Sequence, residues 1–293
     1  ADNGQSIFSG NKTISNGKEE QNAIGMYGLY VSEELSQEAG LPAGFLDPLT
    51  GSTSNKNTAN LKLEAKNNGI IVFDDTIRGG AWDYEAMQDG SLKLIETPET
   101  AFDLKVTGDS TGKVILNNDV INANISLDNT NLYLGREDVF NQSQSLTLNS
   151  GSIYLNNNTI GTMHVPTLNL NGNTNISVDA DLANKSMDRI TADIYNITEG
   201  AMLNVNNVVL LSDAKEDVTN IQFADDELAS NVAFTGASPI AYSPIWKYDV
   251  SYNPDDGFFS FVRGAASSGN ASDAFNPSVL ASPVATQAGA YTT

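Results

Sequence analysis

Apolar residues in this chain recur as pairs separated by one residue. One series reads Leu61/Leu63, Trp82/Tyr84, Leu104/Val106, Ile125/Leu127, Leu146/Leu148, Leu168/Leu170 and Ile190/Ala192, in steps of 21 or 22 residues. A second reads Ile71/Phe73, Leu92/Leu94, Val114/Leu116, Leu132/Leu134, Ile153/Leu155, Ile176/Val178 and Ile197, in steps of 18 to 23. A fainter third runs through Ile121, Phe140, Ile160 and Leu182. Alternation with period two makes each pair a short strand with one face inward. A fixed period of this length marks units that stack only on their neighbours. The pattern predicts an all-β chain: a right-handed parallel β-helix of about 21–22 residues per coil, regular over 61–200. Seven coils at about 4.8 Å each would span roughly 34 Å.

Polar residues fall where the coils must turn. Asn117-Asn118-Asp119, Asn129-Thr130-Asn131, Asn149-Ser150-Gly151, Asn156-Asn157-Asn158 and Asn171-Gly172-Asn173 separate the strands. Asn and Gly accept the left-handed backbone that tight corners need, and stacked asparagines can bond from coil to coil. A disordered Asn-rich linker would not hold apolar residues in register. An antiparallel meander would show equal strands joined by two-residue turns, whereas short and long spacings alternate here.

The ends depart from the period. Residues 1–60 read as incomplete coils, with Ile7-Phe8, Thr13-Ile14 and Ile24 to Tyr30 as apolar runs. Within them, 32–57 reads as a corner insertion, with a helix from Ser32 to Gln37 ended by Gly40 and Pro42, then the loop-like Gly51-Ser52-Thr53-Ser54-Asn55. Residues 201–263 form a capping region. Leu203/Val205 and Val208 to Leu211 are strands there, and Trp246, Tyr248, Val250 and Tyr252 alternate up to Asn253-Pro254-Asp255-Asp256-Gly257 and Phe258-Phe259-Ser260-Phe261. That is a hairpin signal, and an open sheet end needs such a lid. From Gly264 the chain is small and polar to Thr293, a linker with a short helix after Pro283.

Charge and composition narrow the chemistry. Fifteen Lys and Arg against 36 Asp and Glu leave a net charge of −21. This argues against nucleic acid, whose phosphates call for basic side chains, and against anionic membrane surfaces. No apolar run approaches the ~20 residues of a spanning helix, so direct membrane insertion is not expected. The absence of cysteine removes disulfides and thiolate metal sites. The chain opens on Ala1-Asp2-Asn3-Gly4 without a charged start and apolar core, and reads as a fragment of something longer.

Candidate acids and bases are few. Asp74-Asp75, after the Ile71–Phe73 strand, is the best pair for glycoside chemistry of the kind some β-helices perform. No second cluster stands in register one or two periods on, where residues 95–97 offer only Glu96 and 117–119 only Asp119. Asp225-Asp226-Glu227 and Asp255-Asp256 fall in the capping region and its turn. His164, the one histidine, has no Gly-x-Ser-x-Gly elbow beside it. No EF-hand, nonapeptide calcium repeat, phosphate loop or dinucleotide fingerprint is present. No catalytic, cofactor-binding or metal-binding residue is assigned, and no cofactor is expected.

The order of parts carries a resemblance. Tyr242-Ser243-Pro244-Ile245-Trp246-Lys247-Tyr248-Asp249-Val250-Ser251-Tyr252 with Gly257-Phe258-Phe259-Ser260-Phe261 is similar to the autochaperone-like cap of bacterial (type V) autotransporter passengers. The tail from Phe275 to Gly289 resembles the linker that precedes their β-barrel. Phe8-Ser9-Gly10-Asn11 fits the FxxN repeat of polymorphic outer-membrane proteins, and Gly79-Gly80-Ala81 is similar to their GGA motif, with Trp82 departing from its aliphatic fourth position. The resemblance implies the C-terminal part of a passenger, with residues 264–293 leading to a barrel that this chain lacks. It implies a non-enzymatic adhesin or stalk at the bacterial cell surface, outer-membrane anchored or released. Expected partners are its own barrel and host or cell-surface glycans or proteins, with the passenger a monomer. A polysaccharide-degrading enzyme and a phage tailspike-like fibre are the alternatives.

Overall fold

Two long parallel sheets take turns along the chain. In the computed structural model a six-stranded sheet runs in the order Asn60–Ala65, Phe102–Gly108, Ala123–Asp128, Ser145–Leu148, Thr162–Leu170, Arg189–Ile197. A nine-stranded sheet runs Gln5–Phe8, Ile70–Phe73, Lys113–Leu116, Asn131–Leu134, Gly151–Tyr154, Thr174–Asp181, Leu203–Ser212, Val232–Phe234, with Ser186–Met187 folded back on Thr174–Asp181. Between residues 60 and 212 the chain supplies one strand to the first sheet, then one to the second. Each new strand lies parallel to the one laid down a level earlier. The structure describes residues 1–11, 13–15, 18–20, 22–31, 33, 36–37, 40, 43–46, 53–54, 59–86, 92–97, 101–235, 240–242 and 246–264. Most of the 32–57 insertion and nearly all of the 264–293 linker, with its helix after Pro283, lie outside the described residues.

The apolar pairs explain the stacking. Leu61, Leu104, Ile125, Leu146 and Leu168 stand in one column, and Leu63, Val106, Leu127, Leu148 and Leu170 in the next. From the facing sheet come Ile71, Val114, Leu132, Ile153, Ile176 and Val205. Leu104, Ile125, Leu146, Leu168, Val114, Leu132, Ile153 and Ile176 are all buried. Full burial of such a side chain contributes about 1.5–3 kcal/mol. A one-residue slip would turn a whole strand's apolar set outward, so the register is strongly specified.

Several expected alignments differ. Trp82/Tyr84 and Leu92/Leu94 belong to neither column: Thr76–Ala86 and Leu92–Thr97 form an antiparallel hairpin with Leu94 opposite Tyr84. Leu104 therefore pairs with Leu61, 43 residues back, and Val114 with Ile71. The hairpin consumes one period, so spacing alone does not distinguish it from a level of the stack. At the other end, Ile190/Ala192 lies beside Met163/Val165, and the residues beside Leu168/Leu170 are Tyr195 and Ile197. Tyr195 lies 27 residues after Leu168, a longer step than the period, so the 22-residue step falls on Ile190 in the same nine-residue strand. In the third series Val120, not Ile121, points inward, while Phe140 and Leu182 are buried as expected and Ile160 is half-buried.

A third parallel array joins Asn22–Val31 to Thr76–Ala86 and then to Val120–Ile121. Beyond it the 3-10 turn Glu137–Phe140 takes the place of a strand. Asn67, Asn68, Asn122, Asn129 and Asn158 sit at positive φ at corners, as does Gly151. Other corner side chains bond between levels: Asn171 Nδ2 donates to Asn149 Oδ1 at 3.2 Å, and Asn117 Nδ2 to Asp74 Oδ1 at 2.7 Å. The FxxN tetrapeptide has a local cause. Phe8 stacks on Phe73 with centroids 4.4 Å apart, and Asn11 gives its backbone N–H and Nδ2 to Asp75 Oδ2. In the GGA segment, a Cβ on Gly79 would overlap the Phe102 ring.

At the far end the expected hairpin forms from Lys247–Asn253 and Phe258–Arg263, within a four-stranded antiparallel sheet that also takes Val218–Gln222 and Ile240–Tyr242. Tyr248, Phe259 and Phe261 are fully buried. Phe259 meets Phe223 and Phe234 edge to face. The Tyr248 hydroxyl donates to the Ala214 carbonyl at 3.1 Å and accepts the Ala214 N–H at 3.0 Å.

Candidate functional site

The acidic corners resolve into structural bonds. Asp74 is exposed and accepts from Asn117, while Asp75 is buried and holds Asn11. Asp119 pairs with Arg136, which also donates to Asp138 at 2.8 Å. The Glu96 side chain lies outside the described residues. Asp225 accepts from Arg189 at 3.2 Å and from the Tyr195 hydroxyl at 2.9 Å, and burial beside that carboxylate pushes the Tyr195 phenol up. Asp226 and Glu227 open the one-turn helix Asp226–Ala229. Asp256 accepts from Asn253 Nδ2 at 2.8 Å and, through its other oxygen, from the Phe258 N–H at 3.2 Å, holding the hairpin turn. These bonds fix corners of the stack and of the hairpin turn.

His164 points outward from Thr162–Leu170. Its Nδ1 lies 3.1 Å from Thr191 Oγ1 and its Nε2 lies 3.8 Å from Asp193. Both partners sit on the adjacent strand, and no serine shares the bonds. Among the described residues no group of three or more His, Cys, Asp or Glu is placed to hold a metal ion, and no helix is long and apolar enough to cross a membrane.

Sequence reasoning missed a buried acidic corner. Glu137 lies two levels from Asp179 and Asp188, with Asn157 and Asn158 on the level between, and the three acids are 8%, 0% and 0% exposed. Glu137 accepts from Asn157 Nδ2 at 2.7 Å and Thr159 Oγ1 at 3.2 Å. Asp179 Oδ2 accepts the Asn158 N–H at 2.6 Å. Asp188 accepts the N–H groups of Gly161 and Asp179 at 3.1 and 2.7 Å. Asp179 Oδ1 is buried with no hydrogen-bond partner. Burial, with Glu137 close by, raises Asp179 to about 6 and Asp188 to about 8, because a charged carboxylate is disfavoured away from water. Asn157 is thus tied to a buried carboxylate on the preceding level. No local motif joins the three acids; only the spacing of about two periods, 42 residues from Glu137 to Asp179, hinted at a shared corner.

The two main sheets present different outer faces. Outward on the six-stranded sheet stand Asn60, Asp103, Asn124, Ser145 and Thr167, then Lys62, Lys105, Ser126, Thr147 and Asn169. Their side chains bond along the columns, as in Ser145 to Asn124 at 3.1 Å and Asn169 to Thr147 at 3.1 Å. A shallow groove of about 500 Å³ lies over Lys62, Asp103, Lys105 and Asn124. Lys62 pairs with Glu64 at 2.9 Å and Lys105 with Asp128 at 3.5 Å.

On the nine-stranded sheet one outward column runs Gln5, Ile70, Lys113, Asn131, Ser152, Asn175, Asn204. Beside it run Ile7, Val72, Ile115, Tyr133 and Tyr154. Tyr133 and Tyr154 stack with centroids 4.1 Å apart, and Lys113 Nζ sits 5.5 Å over the Tyr133 ring. The Tyr154 hydroxyl donates to Asn131 Oδ1 at 3.3 Å, linking the two columns. Lys113 is the one charged residue in these columns, which contain no Asp or Glu.

No protein-family model, curated protein or solved structure matches this chain.

Proposed function

We propose that the chain is a right-handed parallel β-helix that serves as a non-enzymatic cell-surface passenger, an adhesin or stalk of the autotransporter type. The observation that carries this reading is the uninterrupted parallel register from Leu61 to Leu170, ending in an aromatic antiparallel sheet packed on the last strand of the stack. Such a rod needs a closed end, since open strand edges invite aggregation. The acidic corners support a non-catalytic role because Asp74, Asp75, Asp119 and Asp225 are each engaged in bonds that hold levels together. The −21 charge keeps such a rod soluble and apart from its copies.

The test joins this chain to an outer-membrane β-barrel in a Gram-negative host and probes intact cells with protease. The expected outcome is a folded, protease-resistant core released from the cell surface. Retention in the periplasm, or display that is degraded throughout, would overturn the reading.

A further inference from the structure

In a chain with 36 acidic residues, two adjacent outward columns on the nine-stranded sheet carry none. We propose that this strip is a binding site for a neutral polysaccharide laid along the stacking direction. The strip is amphipathic across its width. Ile7, Val72, Ile115, Tyr133 and Tyr154 give an apolar edge, and Asn131, Ser152, Asn175 and Asn204 give an amide and hydroxyl edge. A pyranose chain has the same division, with C–H faces beside hydroxyl rims. Tyr, Ser and Asn together are also the composition of adaptable recognition surfaces, in which tyrosine supplies contact at low entropic cost.

Charge and size select the occupant. A polycation would be drawn to the carboxylates elsewhere on the exterior, and a polyanion would meet a molecule of net charge −21. Seven strands at ~4.8 Å make the strip roughly 29 Å long, and two outward residues make it roughly 14 Å wide, about 400 Å² in all. That is well below the ~800 Å² per partner of a stable protein–protein interface, so a second copy would find too little area. A single extended polymer fits the width. Ile7, 57% exposed, stands at one end of the apolar edge with nothing packed over most of it. The strip is held by a sheet, so it is pre-organised and little ordering opposes binding.

The ligand assignment deepens the adhesin reading and rests on it for its biological meaning, but it is measured apart from surface display. Purified chain is run through gels containing dextran, laminarin or galactomannan, with heparin and polygalacturonate as charged controls. The expected result is retardation by at least one neutral polymer, unchanged by added salt and weakened at least about tenfold in Tyr133→Ser/Tyr154→Ser. Lys62→Ser/Lys105→Ser on the other sheet should bind as the parent does. Circular dichroism melts verify folding, and Ile7→Asn provides a second variant at an exposed position. Three results would overturn the site: no retardation by any neutral polymer, retardation only by the charged polymers, or binding untouched by all strip variants. Self-association abolished by the same tyrosine variant would assign the strip to a second copy instead. Failed display with intact binding would remove the passenger reading and leave the site.

Discussion

Phe259 meets Phe234 edge to face, with ring centroids 5.8 Å apart and planes at 88°. Phe234 ends the last strand of the nine-stranded sheet and Phe259 lies in the C-terminal hairpin, so one ring pair ties cap to stack. Phe259→Ala should cost about 3–5 kcal/mol, as large aromatic truncations in packed cores do. Deleting residues 242–263 should slow refolding, increase aggregation and remove hydrogen-exchange protection first around Arg189–Ile197 and Leu203–Ser212. Unchanged refolding rate and protection in the truncated chain would show that the hairpin is an appendage.

Leu146 stands between Ile125 and Leu168 and is fully buried. Leu146→Asp should cost several kcal/mol, since an unpaired charge would enter the core. Asn157→Asp is expected to be costly too, because its Nδ2 bonds the buried Glu137 carboxylate and the substitution sets a second carboxylate there. Asn171→Asp, at an exposed corner bond to Asn149, should shift the melting temperature far less. Equal shifts for all three would contradict these assignments.

Stability should fall as pH rises from mildly acidic to alkaline. Asp179 and Asp188 are raised in the folded chain to about 6 and about 8, from about 3.9 when unfolded. Between those values the folded state binds more protons than the unfolded state, so increasing pH favours unfolding. The contribution is fully present below about pH 4 and is lost as pH passes the folded values. Glu64, lowered to about 2 by Lys66 and Lys62, and Asp181, lowered by its bond from Ser212, act in the opposite sense at lower pH. Melting curves from pH 5 to pH 9 should therefore show a steady decline. Asp179→Asn keeps an acceptor for Asn158 and puts an uncharged group where Oδ1 has no partner, so it should flatten that decline. A flat profile in the parent protein would sink the idea.

Gly79 is held by contact rather than by backbone angle. Gly79→Val should force Phe102, fully buried, out of its position. Overpacking of this kind costs about 1–3 kcal/mol. The companion Gly79→Val/Phe102→Ala should recover part of the loss, and a strictly additive pair would refute the contact.

The strands of the stack were legible in the sequence because their faces obey period two and their inward residues are aliphatic. Leu104, Ile125, Leu146 and Leu168 needed nothing more. What could not be read was which period is a level of the stack. The Thr76–Ala86/Leu92–Thr97 hairpin has the right length and the right apolar pairs, and only hydrogen-bond direction distinguishes it. Arg189–Ile197 hid its alignment for another reason: the period lands on Ile190, 22 residues after Leu168, while the true neighbour Tyr195 lies 27 residues after it. The acidic corner escaped because burial depends on which loops cover it. Asp179 alternates outward along its strand, and on spacing alone it reads as solvated.

That hairpin leaves the phase of the stack untouched. Leu61 and Leu104 are neighbours whatever happens between them, so the segment behaves as a detour whose length the rest of the molecule does not sense. Beyond its base at Thr76–Trp82, where it pairs with Asn22–Leu29, sequence there can be exchanged, lengthened or replaced with a foreign epitope without re-registering the two main sheets. The architecture thereby offers a cassette position, and variation in a lineage of such chains would accumulate there while the Leu, Ile and Val columns stay fixed.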